Sequence, residues 1–305
     1  MTICRLRLGD HVISIDQAHP LIMGIVNAAP DSFSDGGMFQ TLEAQLDHAH
    51  KLVSDGAHII DVGGESGRTD KAQISPQQEA ERVVPLVRRL ADEGVLVSVD
   101  TWKPEVASEA LRAGAVMIND VSGLSQPQIA GLCSTSGAAL VVMHTRAKPK
   151  QKRFPGYNDV VEDVLSFIQQ RIELATDQGV SLEQLVVDPG PDFAKTPAET
   201  VSLLRRIDEL GTFSRPVLLA VSRKDFLGAL THRTPRERLG GTLAAVGALR
   251  GRVPGIVRVH DVAQVADFLS VGAALDGDVD IAPDLELEME LRHERGPWQS
   301  PTSNT

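Results

Sequence analysis

The residues of this 305-residue sequence best suited to chemistry each close a short, apolar, β-rich run: Asn27, Asp61 with Glu65, Asp100, Asn119, His144, Asp188, the triplet Ser222-Arg223-Lys224, and Arg258 with His260. One or two such residues would be ordinary helix N-caps. A full set is hard to explain that way, because buried Asp and Asn groups cost free energy unless they find partners. The set divides by chemistry. Asp100, Asn119 and Asp188 offer acceptors plus one amide, the complement of a flat, neutral heterocycle presenting ring N–H and exocyclic amine donors. Arg258, His260 and Arg68 offer positive donors to an anionic leaving group. Asn27 opens NAAPDSFSDGG, a Gly/Ser/Asp-rich segment of the kind that closes over a ligand or holds a cation. The plainer reading of Arg258 and His260 is a salt bridge with neighbouring Asp261. Cys133, away from the run ends, reads as packing rather than as a nucleophile.

The elements that must position these groups follow from periodicity. The apolar runs span 21–27, 58–65, 96–101, 117–123, 139–145, 184–190, 217–223 and 255–261, and read as strands buried on both faces. Between them lie amphipathic segments at 42–54, 76–93, 105–113, 160–178, 199–210 and 236–249, a weaker one at 127–136, and a last one at 261–274. Complete strand–helix alternation predicts an α/β fold, the (β/α)8 TIM barrel, whose active site gathers at the carboxyl ends of its strands. The competing open, doubly wound sheet lacks its GxGxxG fingerprint after every run. Residues 5–8 and 12–15, joined by Gly9-Asp10, read as a β-hairpin closing the barrel floor. The expected organisation is one domain over 1–284, followed by a charged and then Pro/Ser/Asn-rich tail over 285–305 that should fray.

Composition narrows the function further. With 42% hydrophobic and 23% charged residues the chain is globular. Its 30 basic and 41 acidic side chains give a net charge of −11, which opposes attraction to nucleic acid or an anionic membrane. Cys4 and Cys133 form neither a disulfide framework nor a metal-type spacing, and the start MTICRLRLGD lacks the apolar core of a signal peptide. A soluble, cytoplasmic protein is expected.

The same residues carry a family resemblance. NAAPDSFSDGG, DVGGES, SVDTWK, INDVSG, DPGPDFAKT, SRKDFLG and RVHDV resemble, in order and in place, the motifs of the dihydropteroate synthase family, from about residue 21 to 274. The resemblance implies a (β/α)8 barrel, usually a homodimer, that joins 6-hydroxymethyl-7,8-dihydropterin diphosphate to 4-aminobenzoate with loss of diphosphate. Sulfonamides would compete with the aminobenzoate. It also implies a pterin-binding set of Asp100, Asn119, Asp188 and Lys224, with Phe193 nearby, and Asp100, Asp188 and Lys224 as the catalytic group. Asn27, Arg68, Arg258 and His260 would serve the diphosphate, Asn27 together with Mg²⁺. Ser222, with a helix start behind it, would receive the aminobenzoate carboxylate, and Phe33 would lie in a first mobile loop.

Departures from the family pattern mark an actinobacterial-like variant. Gly67-Arg68-Thr69-Asp70 stands where a hydroxyl residue followed by Arg-Pro-Gly is usual, Ala28-Ala29 replaces Val-Thr, and Asp192 and Ala220 each replace a glycine. The alternatives are a diverged paralogue that binds pterin with little turnover, and a pterin-binding methyltransferase-type domain, which would need no diphosphate clamp.

Overall fold

The computed structural model describes residues 3–29, 41–67 and 70–291. The chain opens with β1 (Ile3–Leu8) and β2 (His11–Asp16), paired antiparallel with Leu8 opposite His11. Exposed and buried residues alternate strictly along β1, as a two-residue side-chain period dictates. Its inner residues Leu6 and Leu8, with Ile15 of β2, are fully buried in one cluster with Met23, Ile59, Met117 and Ile256. The hairpin therefore plugs the barrel floor, as its alternation predicts.

Eight parallel strands form the wall: β3 (Leu21–Asn27), β4 (Ile59–Gly63), β5 (Val97–Asp100), β6 (Met117–Asp120), β7 (Ala139–Met143), β8 (Leu185–Asp188), β9 (Val217–Leu219) and β10 (Gly255–Val259). They close in chain order, with β10 pairing β3, which is the TIM barrel. The strand period also sets the site. Ile59, Met117, Val186 and Ile256 fill the interior. Two residues further on, on the same face, stand Asp61, Asn119, Asp188 and Arg258, one layer nearer the carboxyl ends.

The helices are α1 (Leu42–Ser54), α2 (Pro76–Asp92), α3 (Pro104–Arg112), α4 (Gln128–Ser136), α5 (Val160–Asp177), α6 (Pro197–Arg205), α7 (Asp225–Thr231), α8 (Leu239–Leu249) and α9 (Val262–Leu275). Several start at side-chain caps: Ser75 and Thr196 form capping boxes with Gln78 and Glu199, and Asp159 caps α5. Two expectations need correction. The 199–210 segment splits into the end of α6 and a 3-10 stretch over Ile207–Phe213, and the seven-residue α7, whose start the resemblance implies behind Ser222, shows no periodicity of its own because two turns are too short for a helical period. The run 217–223 is strand only to Leu219; beyond it the chain leaves the sheet, and Arg223 takes a left-handed φ of 58°. No described helix is long and apolar enough to cross a membrane. Past α9 the described chain has a single 3-10 turn, Met289–Leu291, and most of the expected tail lies outside the described residues.

Candidate active site

The floor of the site is organised by Asp61. Fully buried, it accepts through Oδ2 from Asn119 Nδ2 at 3.1 Å and from Arg258 Nε at 2.6 Å. Arg258 sends Nη2 onward to Asp100 Oδ2 at 3.0 Å, so one guanidinium joins two carboxylates in the forked geometry that suits it. Asp261 is not its partner: that carboxylate pairs with Arg223 at 2.6 Å. A carboxylate only accepts, so Asn119 must turn its amide nitrogen toward Asp61. One of the two N–H donors of that amide is therefore used inside the protein. What remains is chiefly an acceptor floor, in which Asp61 Oδ1 and Asn119 Oδ1 are buried without a hydrogen-bond partner. Asp188 completes it, accepting from the Gly190 amide at 2.7 Å. Glycine is required there: φ is +64°, and a Cβ would lie 2.1 Å from the His144 carbonyl oxygen.

Burial, opposed by Arg258 but reinforced by the charges of Asp61, Glu79 and Asp120, pushes the Asp100 carboxyl up to about 7. Burial also raises Asp188, against the Gly190 amide and the Lys224 and Lys195 charges. Acceptors held above their ordinary range gain most from a donor-rich ligand.

The rim is cationic and aromatic. Lys224 Nζ lies 4.4 Å from the centre of the Phe193 ring, a cation–π contact, and burial pulls its pKa down. Phe193 rides on the turn after β8, where Asp192 and Ala194 have left-handed φ values of 63° and 54°. That geometry is why glycine suits position 192. Aspartate tolerates it and adds ties, since its carboxylate accepts from Thr200 Oγ1 and from the Phe226 amide, both at 3.2 Å. Lys195, 1% exposed, braces the turn by donating to the carbonyls of Gly190 and Phe193 and to His144 Nδ1 at 2.7 Å. Lys195 closes no apolar run and so carries no strand-end signal, although it stands inside DPGPDFAKT. His144, by contrast, is a strand-end residue that turns away from the site: its Nε2 donates to Asp163 at 2.8 Å. Burial and nearby Lys195 push it down to about 3.

Two further expectations change. Burial, with Arg223, Arg258 and Lys224 around it, pushes His260 down to about 3, so it is a neutral imidazole rather than a positive donor. Ser222 Oγ lies 3.0 Å from His260 Nδ1 and accepts from the His260 amide. The hydroxyl then donates to Nδ1, leaving Nε2–H as the ring donor. The helix start behind Ser222 is the short α7, whose Phe226 amide already serves Asp192, so it adds little for a carboxylate.

Two cavities share Arg223 and Lys224. One, of about 520 Å³, is lined by Asp100, Trp102, Phe193, Gly67, Asp70 and the segment 147–154. The other, of about 560 Å³, is lined by Ile25, Ser222, Arg236, Arg258 and His260. Asn27 ends β3 beside Gly63 of β4. Glu65 binds Lys103 at 2.6 Å rather than lining the floor. Arg68 and Phe33 lie outside the described residues. Among the described residues no group of three or more His, Cys, Asp and Glu side chains could hold a metal ion.

The likeness to known proteins agrees with this fold. The family profile described as "Pterin binding enzyme" matches residues 23–260. A dihydropteroate synthase of Bacillus subtilis is 42% identical over 248 residues, covering 81% of this chain and 85% of that protein. The dihydropteroate synthase of Xanthomonas albilineans, solved with 4-aminobenzoic acid, superposes with a TM-score of 0.83 at 39% identity, covering 90% of this chain and 99% of that one. The Yersinia pestis enzyme, solved as a sulfonamide drug complex, gives a TM-score of 0.83 at 36% identity with the same two coverages. With its barrel, its acceptor floor and this likeness along most of its length, the chain belongs to the dihydropteroate synthase family.

Proposed function

We propose that the acceptor floor and the cationic rim together carry out dihydropteroate synthesis, a transferase reaction of folate biosynthesis. The acceptors of Asp100, Asn119 and Asp188, with Asp61 beneath them, receive the ring N–H and amine donors of the pterin, and Phe193 and Lys224 stand at its edge. Arg258, neutral His260 and Arg68 bind the diphosphate. Ser222 receives the carboxylate of 4-aminobenzoate by turning its one hydroxyl proton from His260 Nδ1 to the ligand, and Phe33 serves substrate binding with it. In the reaction the bond from the pterin methylene carbon to the diphosphate oxygen breaks, and diphosphate leaves with the electron pair. The resulting pterin cation is delocalised and held against Asp100 and Asp188. The arylamine nitrogen then attacks the methylene, forms the new C–N bond and releases a proton. Positioning and charge stabilisation supply the acceleration.

The observation that carries this reading is the Arg258 bridge: one side chain touches the pterin-side carboxylates Asp61 and Asp100 while lining the cavity of Ser222 and His260. Asn27 offers a single hard oxygen, and the described residues offer no metal cage. That donor set fits Mg²⁺ arriving on the diphosphate with most of its own waters, where it would neutralise leaving-group charge. The working unit is a cytoplasmic homodimer, each subunit one domain over 1–284 with a tail over 285–305. The Gly67–Asp70 departure marks it as an actinobacterial-like variant with an altered second loop. A coupled assay of diphosphate release tests the function. Release with pterin diphosphate plus 4-aminobenzoate, and its inhibition by a sulfonamide, are expected. Pterin binding without amine-dependent release would favour the diverged paralogue.

A further inference from the structure

The segment after β4 is held rigidly as far as Ser66. Gly64 packs so tightly on α2 that a Cβ would lie 2.7 Å from Val83, and its carbonyl accepts from Arg82 Nη1 at 3.0 Å. Glu65 is buried against Lys103, whose ammonium also pairs with Glu79 at 2.6 Å and donates to the Ile74 carbonyl. One further tie comes from far along the chain. Lys150, in the β7–α5 connection, donates to the Ser66 carbonyl at 2.7 Å and lies 3.3 Å from Glu65 Oε1. Both ends of this tie are largely buried, with side-chain exposures of 10% for Lys150 and 3% for Glu65. Lys150 also has a left-handed φ of 63°, a conformation costly for a residue with a Cβ and kept where surrounding contacts over-determine it. Immediately beyond this anchored stretch, Gly67 faces open space.

Both connected segments line the 520 Å³ cavity: Glu65, Gly67 and Asp70 from one, residues 147–154 from the other. The β7–α5 connection is itself held at its far end, where Tyr157 Oη donates to the Ala194 carbonyl at 3.0 Å, one residue from Phe193. We propose that Lys150 is a positioning residue, a latch that joins the β7–α5 connection to the root of the second loop and so sets the wall against which the aromatic amine docks. Four alternating charges, Lys150, Glu65, Lys103 and Glu79, make that wall one unit. The latch makes no contact with the acceptor floor, so the pterin should not sense it. The inference rests on the amine binding beside the second loop.

The test uses the full chain and three substitutions. Lys150→Met removes the latch. Lys150→Gly removes it while relieving the left-handed backbone. Lys150→Arg keeps a cation within reach of Glu65 and the Ser66 carbonyl. The expected result is a KM for 4-aminobenzoate raised about five- to tenfold in the Met and Gly variants, with the Arg variant near wild type. The calorimetric Kd for pterin diphosphate should be unchanged in all three. A merely structural lysine would instead lower the melting temperature in the Met variant and leave KM alone. Because the Gly variant relieves strain, it should fold even if the Met variant does not. Unchanged amine KM in the Gly variant, or pterin and amine affinities that fall together, would overturn the latch. Absence of amine-dependent turnover in the wild type would instead overturn the functional reading.

Discussion

At the scale of single residues, the site is governed by a few charges kept close together out of water. Asp100, pushed up to about 7, gives the clearest pH signature. On the proposed reading its ionised form accepts the pterin donors, and protonation below that value removes an acceptor. Binding favours the deprotonated form, so affinity rises with pH through this window and falls by about tenfold per unit below it. Calorimetry between pH 5.5 and 8 should show that slope, and Asp100→Asn should flatten it. Arg258 gives a second prediction, and here the structure changes the outcome expected from sequence. Taken as a free diphosphate donor, Arg258 could be removed at no cost in stability. As the partner of fully buried Asp61, its loss strands a charge, so Arg258→Ala should cost about 3–5 kcal/mol of stability as well as about 10²-fold in turnover. Arg258→Lys separates the two effects, keeping the charge without the fork. Its melting temperature should stay close to wild type while turnover drops, measured by thermal melts and steady-state kinetics on the same preparations.

At the scale of elements, rigid strands and caps carry the floor, and on the proposed reading connections carry the amine side. The contrast between Gly64 and Gly67 is the physical core of it. Gly64 has no room for a side chain, whereas a Cβ at Gly67 would meet nothing within 4 Å, and no positive φ demands glycine there. Ordering one more flexible residue costs on the order of 1 kcal/mol, a cost felt when the amine binds. Gly67→Thr, combined with Thr69→Pro and Asp70→Gly, should therefore lower the KM for 4-aminobenzoate several-fold and raise sulfonamide sensitivity, with pterin affinity unchanged. Kinetics at saturating pterin diphosphate decide it. Constants equal to wild type would mean the second loop already orders at no cost. The left-handed residues beyond the strand ends, Leu124, Lys150, Asp192, Ala194 and Arg223, belong to the same pattern, with strain gathered on the face that does the chemistry.

For the whole molecule, the barrel exterior holds the remaining prediction. Helix α9 exposes Val271 at 58% and Leu275 at 82%, residues four apart and so on one face of the helix. In a homodimer this face is a natural place for the partner to cover. Sedimentation should give twice the chain mass, and Val271→Glu with Leu275→Glu should shift the equilibrium toward monomer without changing pterin affinity. A dimer unaffected by the pair would place the interface elsewhere.

How much of this was legible beforehand follows from the range of each interaction. Strand and helix periodicity are local, so the hairpin, the eight strands and helices such as α1 could be read from residue order, as could the placement of Asp100, Asn119 and Asp188 at strand ends. The two-turn α7 and the early exit of β9 were not legible, since neither leaves a repeat long enough to see. Partner choice was beyond the sequence altogether. Arg258 stands three residues from Asp261 but binds Asp61, 197 positions away, and Lys150 reaches Ser66 across 84 positions. The sequence by itself determined which groups arrive at the mouth of the barrel, because the strand period delivers them there. Only the tertiary structure decided which of them pair with one another, which turn away and which stay neutral, because barrel closure sets the distances and the loss of water on which those charges depend.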